Sequence, residues 1–160
     1  MTWLINIGAM ILAFLLMEFV AWFAHKFVMH GGLWTLHQDH HKKDHGGVFE
    51  RNDAFFLIFA TPAIVDGKVY LRTRGVRNGI ADVRIWIAAG ITLYGLAYFL
   101  VHDIFIHQRT KWLRNTDNWY FRAIRRAHKM HHKHLGKEDG ECFGMLFVPL
   151  KYFKKTAAEA

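Results

Sequence analysis

Two histidine blocks, each set directly after an apolar run, constrain the fold of this chain more than any other feature. The first reads H-K-F-V-M-H-G-G-L-W-T-L-H-Q-D-H-H from His25 to His41. The second begins at His102 and repeats both spacings, as His102-x4-His107 and then His128-x2-His131-His132. Imidazoles recurring at matching intervals at the ends of apolar segments are poorly explained by packing, and they point to metal ligands at a membrane surface. If both blocks serve one site, they must lie on the same side of whatever the apolar runs cross.

The apolar runs are long enough to cross a bilayer. Residues 3–24 carry a single charge, Glu18, and at about 1.5 Å per residue they can traverse roughly 30 Å of hydrocarbon. A cleaved signal peptide is not expected, because no basic stretch leads the run and no small-residue cleavage pattern precedes His25. Residues 83–101 form a second clear span. Between them, residues 54–65 are apolar but too short to cross; continued to Leu71 the run suffices, with Asp66 and Lys68 placed to reach the headgroups. An even number of crossings must separate the two blocks, so 54–71 is predicted as a further span, irregular near Pro62, with 66–82 as the outer loop. No Lys or Arg precedes Lys26, and only five of the twenty-one lie in 66–84. The positive-inside rule therefore puts both histidine blocks in the cytoplasm. The predicted fold is a single-domain all-α integral membrane protein over residues 1–160, a transmembrane helix bundle with a cytoplasmic histidine-rich helical cap.

A net charge of +8 invites a nucleic-acid reading, but the 52% hydrophobic content lies in runs apart from the basic residues. Membrane lipid is the expected partner of those charges, and nucleic acid is not. The lone Cys142 excludes an internal disulfide and a cysteine-based zinc or iron–sulfur site, and is read as a small buried side chain.

Spacing sorts the candidate ligands. On an ideal helix His25 and His30 stand about 140° apart, so one metal takes both only if the helix ends at Gly31-Gly32; otherwise two metals share them. His37, His40 and His41 fall on one helical face, as do His128, His131 and His132. His45 and His134 are read as solvated. Asp103, four residues before His107, could accept that ring's second N–H. Glu18, about two turns before His25, is read as a carboxyl facing the bundle, with a role near the site as the alternative. Tyr94, Tyr98 and His102 share a face, which suits either helix packing or a slot from the bilayer to the site. Residues 108–126 are basic and aromatic without a strong apolar face, and are placed at the headgroups. Residues 142–153 are apolar but short, and are expected at the interface or packed on the bundle. Ten repeated imidazoles exceed the four to six positions of one first-row metal, so two metals are implied; ligand type alone does not choose among iron, zinc, copper and nickel.

The order H-x4-H-x6-H-x2-H-H, H-x4-H, H-x2-H-H resembles the membrane fatty acid hydroxylase superfamily, and within it the bacterial β-carotene 3-hydroxylases. The closer resemblance is carried by A-H-K-F-V-M-H from Ala24, F-E-R-N-D from Phe49, Y-G-L-A-Y-F-L-V-H-D from Tyr94, H-Q-R from His107, and A-H-K-M-H-H from Ala127 with G-K-E at Gly136. The loop 69–82 departs from it, being less continuously apolar. The resemblance implies a non-haem di-iron monooxygenase of the bacterial inner membrane whose ten motif histidines hold two irons, zinc being able to replace them in purified protein. It implies dioxygen as co-substrate and hydroxylation at ring carbon 3, from β-carotene through β-cryptoxanthin to zeaxanthin; a fatty acyl or sterol substrate is the alternative. The chain has no glycine motif for a flavin or nicotinamide, so electrons come from a partner, by resemblance a ferredoxin with its reductase, for which the basic stretch from Arg109 to Lys137 offers a docking face. A metal transporter or a b-type haem protein would place its ligands within the spans, where only Glu18 is clearly found.

Overall fold

The computed structural model describes residues 2–42, 49–61, 82–110 and 115–154, and all regular structure among them is helical. Helix α1 (Thr2–Phe23) runs into a π-helical segment, Ala24–Gly32, which is kinked at Gly31, where φ −103° and ψ −114° are not helical. The long helix α4 (Val83–Tyr98) starts at Asp82, whose carboxylate accepts from the Arg84 N–H at 3.0 Å, and likewise continues into a π-helical segment, Phe99–Ile106. Thr2–Gly32 and Val83–Ile106 are each long and apolar enough to cross a membrane. Their large apolar side chains point outward: Leu4, Leu12, Phe19 and Leu96 are all more than half exposed, whereas Asn6, Glu18 and Tyr94 are buried between the helices. Polar inside and apolar outside is the arrangement that lipid demands.

The two long helices pack closely because Gly90 has no side chain. A Cβ there would collide with the Met10 carbonyl, so glycine is what lets the backbones approach, as at many membrane helix interfaces. Trp3 meets Trp86 and Phe14 meets Tyr94 edge to face, at 5.7 and 5.6 Å between centroids.

Helix α2 (Trp34–Lys42) follows the first π segment. A 3₁₀ turn, Arg51–Asp53, then leads into α3, residues 54–61. The turn is closed by a capping box in which the Glu50 N–H donates to Asp53 Oδ2 at 3.0 Å. The rest of the 54–71 span, Pro62, His45 and most of the 66–82 loop lie outside the described residues.

Helix α5 (Trp119–Lys133) is capped by Asn118, whose side-chain oxygen accepts from the Tyr120 and Phe121 N–H groups at 3.0 and 3.2 Å. Here the structure corrects the sequence reading of 108–126. The helix is strongly one-sided and buries Ala123, Ile124, Ala127, His128 and His131. Alanine and histidine build that face, and neither registers as an apolar stripe. Residues 142–153 pack on the bundle: Tyr152, in the 3₁₀ turn Leu150–Phe153, lies against Ala123 and Ala127 with Cys142 half-buried alongside.

Candidate metal centre

The H-x4-H spacing and the π helix explain one another. In a π helix the hydrogen bonds run from i to i+5, so residues five apart come round to the same face. The Leu33 N–H donates to the Val28 carbonyl at 2.9 Å, and the His107 N–H to the carbonyl of His102 itself, also at 2.9 Å. Both members of each pair thereby turn inward, and the first segment also breaks at Gly31 (φ −103°, ψ −114°), where the sequence reading placed a helix end for the case that one metal takes both His25 and His30. The signal was the x4 spacing, present twice.

The histidines converge in two groups. One comprises His25, His30, His37, His41 and His131, and the other His40, His102, His107 and His128; within each, one ring nitrogen per residue lies within 4.8 Å of all the others. His132 joins the second, its Nε2 2.8 Å from His128 Nε2. Each H-x2-H-H triple is therefore split. Residues four apart differ by only about 40° on a helix, whereas the middle histidine lies about 60° to the other side. His37 and His41 accordingly stay together while His40 crosses to the second group, and His131 crosses back from its own triple. The groups lie side by side, with the His41 and His132 rings stacked at 4.4 Å.

Tautomers in the first group follow from geometry. Each Nδ1 faces an oxygen that can only accept: the carbonyls of Phe143 (3.0 Å from His25), Lys137 (3.1 Å from His30), His134 (3.0 Å from His41) and Glu141 (2.8 Å from His131), and the Asn52 side-chain oxygen (2.7 Å from His37). Every Nδ1 thus carries the proton and every Nε2 is left with a lone pair. Those Nε2 atoms nevertheless face each other, at 3.1 Å for His25 and His37, 3.2 Å for His30 and His131, and 3.3 Å for His37 and His41. Lone pairs so placed repel unless a cation sits among them. Metal–imidazole bonds of about 2.0–2.1 Å at angles between square and tetrahedral set their nitrogens roughly 2.9–3.4 Å apart, so the donor set fits a metal ion.

The second group has the same spacing and a different surround. Its Nε2 contacts are 3.1 Å between His40 and His102 and 2.9 Å between His107 and His128. Behind it stand carboxylates: Glu50 accepts from His40 Nδ1 at 2.6 Å, and Asp103 lies 3.4 Å from His102 Nδ1. Arg109 locks this layer, binding Asp53 through both terminal nitrogens and Asp103 through Nε at 3.0 Å, and lying 3.7 Å from Glu50. The F-E-R-N-D word thus supplies orienting groups to both clusters, Glu50 to one and Asn52 to the other, a role the sequence reading missed.

Burial suppresses protonation of several of these rings in both clusters. It holds the His41 imidazole at about 4 and that of His131 at about 3, and pushes those of His40 and His128 well below the usual range, with neighbouring imidazoles adding to the effect. Neutral imidazole is the form that binds metal.

The remaining candidates take definite places. Asp103 turns toward His102 and Arg109. Tyr94 donates its hydroxyl to Glu18 at 2.7 Å, and Tyr98 stacks on His102 at 5.0 Å. Arg109 is committed to carboxylates with its side chain 19% exposed, so among the described residues the exposed lysines of the basic stretch are Lys129, Lys133 and Lys137. His134 is half-buried and offers its carbonyl to His41.

A membrane bundle, all-helical among the described residues and closed by two histidine clusters that could each hold a metal ion, defines a class, that of membrane proteins with histidine boxes. The chain belongs to the fatty acid hydroxylase family, whose sequence model matches residues 10–156, and it is an oxidoreductase of hydroxylase type. It is 38% identical over 149 residues to a β-carotene hydroxylase of Pantoea ananas, covering 93% of this chain and 81% of the relative. A β-carotene hydroxylase of Pseudescherichia vulneris is 38% identical over 145 residues, 91% and 78% of the two chains. A chloroplastic β-carotene 3-hydroxylase of Gentiana lutea is 37% identical over 133 residues, 83% of this chain and 40% of the plant protein. No solved structure matches the chain significantly.

Proposed function

We propose that the chain is a β-carotene 3-hydroxylase that converts β-carotene through β-cryptoxanthin to zeaxanthin. Two irons are held by the ten motif histidines: His25, His30, His37, His41 and His131 bind one, and His40, His102, His107, His128 and His132 the other. The observation that carries this reading is the pair of clusters of converging imidazole nitrogens, together with relatives named β-carotene hydroxylase over most of the chain. Two irons with dioxygen supply the oxidising power to replace an unactivated C–H by C–OH; one oxygen atom enters the product and the other leaves as water, using two external electrons and two protons. Zinc, having no redox states, can occupy the clusters without supporting the reaction.

The protein's own contribution is orientation and exclusion of water. Each first-cluster ring is fixed by an acceptor on Nδ1 and presents its free Nε2 inward, which is how outer partners set ligand geometry. Burial of the clusters keeps water from competing. Because they lie at the ends of lipid-facing helices, an apolar substrate reaches them from the bilayer, passing the Tyr98 ring stacked on His102. The site faces the cytoplasm from the bacterial inner membrane, and the lysines at 129, 133 and 137 receive an acidic, ferredoxin-type electron donor.

The test is expression in bacteria that accumulate β-carotene, with extracted pigments resolved by chromatography and mass. Dioxygen-dependent appearance of mono- and dihydroxylated β-carotene is the expected result. Unchanged pigment with iron-loaded protein in the membrane would move the substrate to a fatty acyl chain or sterol and leave the metal chemistry standing.

A further inference from the structure

Glu18 lies deep within α1 and is 5% exposed. Its Oε2 accepts the Tyr94 hydroxyl at 2.7 Å, which is all that helix packing needs. Its Oε1 does something else, accepting three successive backbone N–H groups, of Met145, Leu146 and Phe147, at 2.8, 2.8 and 3.0 Å. One carboxyl side chain therefore joins both long helices to a stretch that has no regular structure of its own.

That stretch lies directly after the one that aims the first cluster. The carbonyls of Lys137, Glu141 and Phe143 accept from His30, His131 and His25, so three of five rings take their orientation from a loop. The Phe143 ring also packs on the rings of all three, at 5.1–5.5 Å. The loop does not hold this shape by preference: Asp139 and Cys142 have φ of 62° and 60°, the left-handed region that side chains other than glycine rarely adopt. Outside restraint is needed, and Glu18 provides it, helped by the Tyr120 hydroxyl donating to the Leu146 carbonyl at 2.6 Å. The second cluster takes its orientation elsewhere, from Glu50 and Asp103.

We infer that Glu18 is a positioning residue for the first cluster: by anchoring residues 145–147 it holds the carbonyls that fix His25, His30 and His131 in the metal-binding tautomer. This rests on the two-metal reading above, and the experiment separates the two. Wild-type protein and the variants E18A, E18Q and G144V are purified from membranes, loaded with iron(II), and analysed for bound metal. Wild type is expected to hold about two ions per chain and E18A about one. Adding H128A to E18A should remove the remaining ion, whereas adding H37A should not. E18Q should keep both, because its amide oxygen accepts the three N–H groups and its amide N–H donates to the Tyr94 oxygen. G144V perturbs the same contact from the other partner, since a Cβ at Gly144 lies 3.0 Å from Glu18 Oε1, and it should also hold about one ion. G144V decides the matter if E18A does not accumulate in the membrane.

Two ions retained in E18A or G144V would overturn the inference, as would loss of both ions together. Failure of both variants to accumulate would make the contact one of general stability and overturn it too. A wild-type chain holding fewer than two ions would instead bring down the two-metal reading, and the inference with it.

Discussion

At the scale of single residues, the two clusters differ in what stands behind their rings. Carbonyl and amide oxygens orient the first, while carboxylates reach His40 and His102 in the second. An anionic partner raises the basicity of the ring it touches, and losing such a partner typically costs roughly 10–100-fold in metal affinity or activity. Glu50→Ala leaves a buried His40 N–H without an acceptor, a cost of about 1–3 kcal/mol. It should weaken metal binding in the second cluster by about 10–100-fold with the first unchanged, and E50Q, which keeps an acceptor, should fall between. Asn52→Ala should act in mirror image through His37. Metal titrations of the two variants check both, and a matching loss from both clusters in either variant would refute the division of partners. The ligands themselves are more exacting. H40A and H131A should each abolish hydroxylation while the protein stays in the membrane, and retained turnover would remove that residue from the ligand set.

At the scale of elements, Gly90 sets the close pairing of α1 and α4, the helices that lead into the two π segments. Gly90→Ala forces the helices apart at the Met10 carbonyl. Overpacking of this kind typically costs 1–3 kcal/mol, so the purified variant should unfold at a lower temperature, whereas G95A, where a Cβ would meet nothing within 4 Å, should be near neutral. Equal melting of the two would show that the contact is not limiting. Elements were also where the sequence was most unevenly legible. Residues 3–24 and 83–101 announced themselves by apolar length, and the ten histidines by their repeat. The split of each triple did not: helical spacing sets the middle ring about 60–100° from the other two, but whether that offset carries it into a second cluster depends on where the other block lies. Helix α5 was hidden because its buried face is alanine and histidine, and Glu18 was ambiguous because its three N–H donors lie more than 120 residues further along the chain.

At the scale of the whole molecule, bringing ten imidazoles together makes stability depend on pH and on metal in opposite ways. The His37, His40, His41, His128, His131 and His132 rings all have their protonation suppressed in the fold, chiefly by burial. An unfolded histidine titrates near 6.5, so below that value the unfolded chain binds protons that the folded one refuses, and stability rises with pH across the interval. The contribution of these rings is therefore intact above about 6.5 and is lost as pH falls toward the folded values, about 4 for His41 and about 3 for His131. Metal-free protein in detergent should accordingly show a melting temperature that declines steadily between about pH 6.5 and 4. Metal binds only the neutral rings of the folded state. Adding zinc at neutral pH should raise the melting temperature with metal concentration, and the gain should shrink on acidification as protons compete for the same nitrogens. A melting temperature of the metal-free protein that is flat across that interval would mean the rings are already hydrated and protonated in the fold, and the dry, neutral cap described above would have to be abandoned.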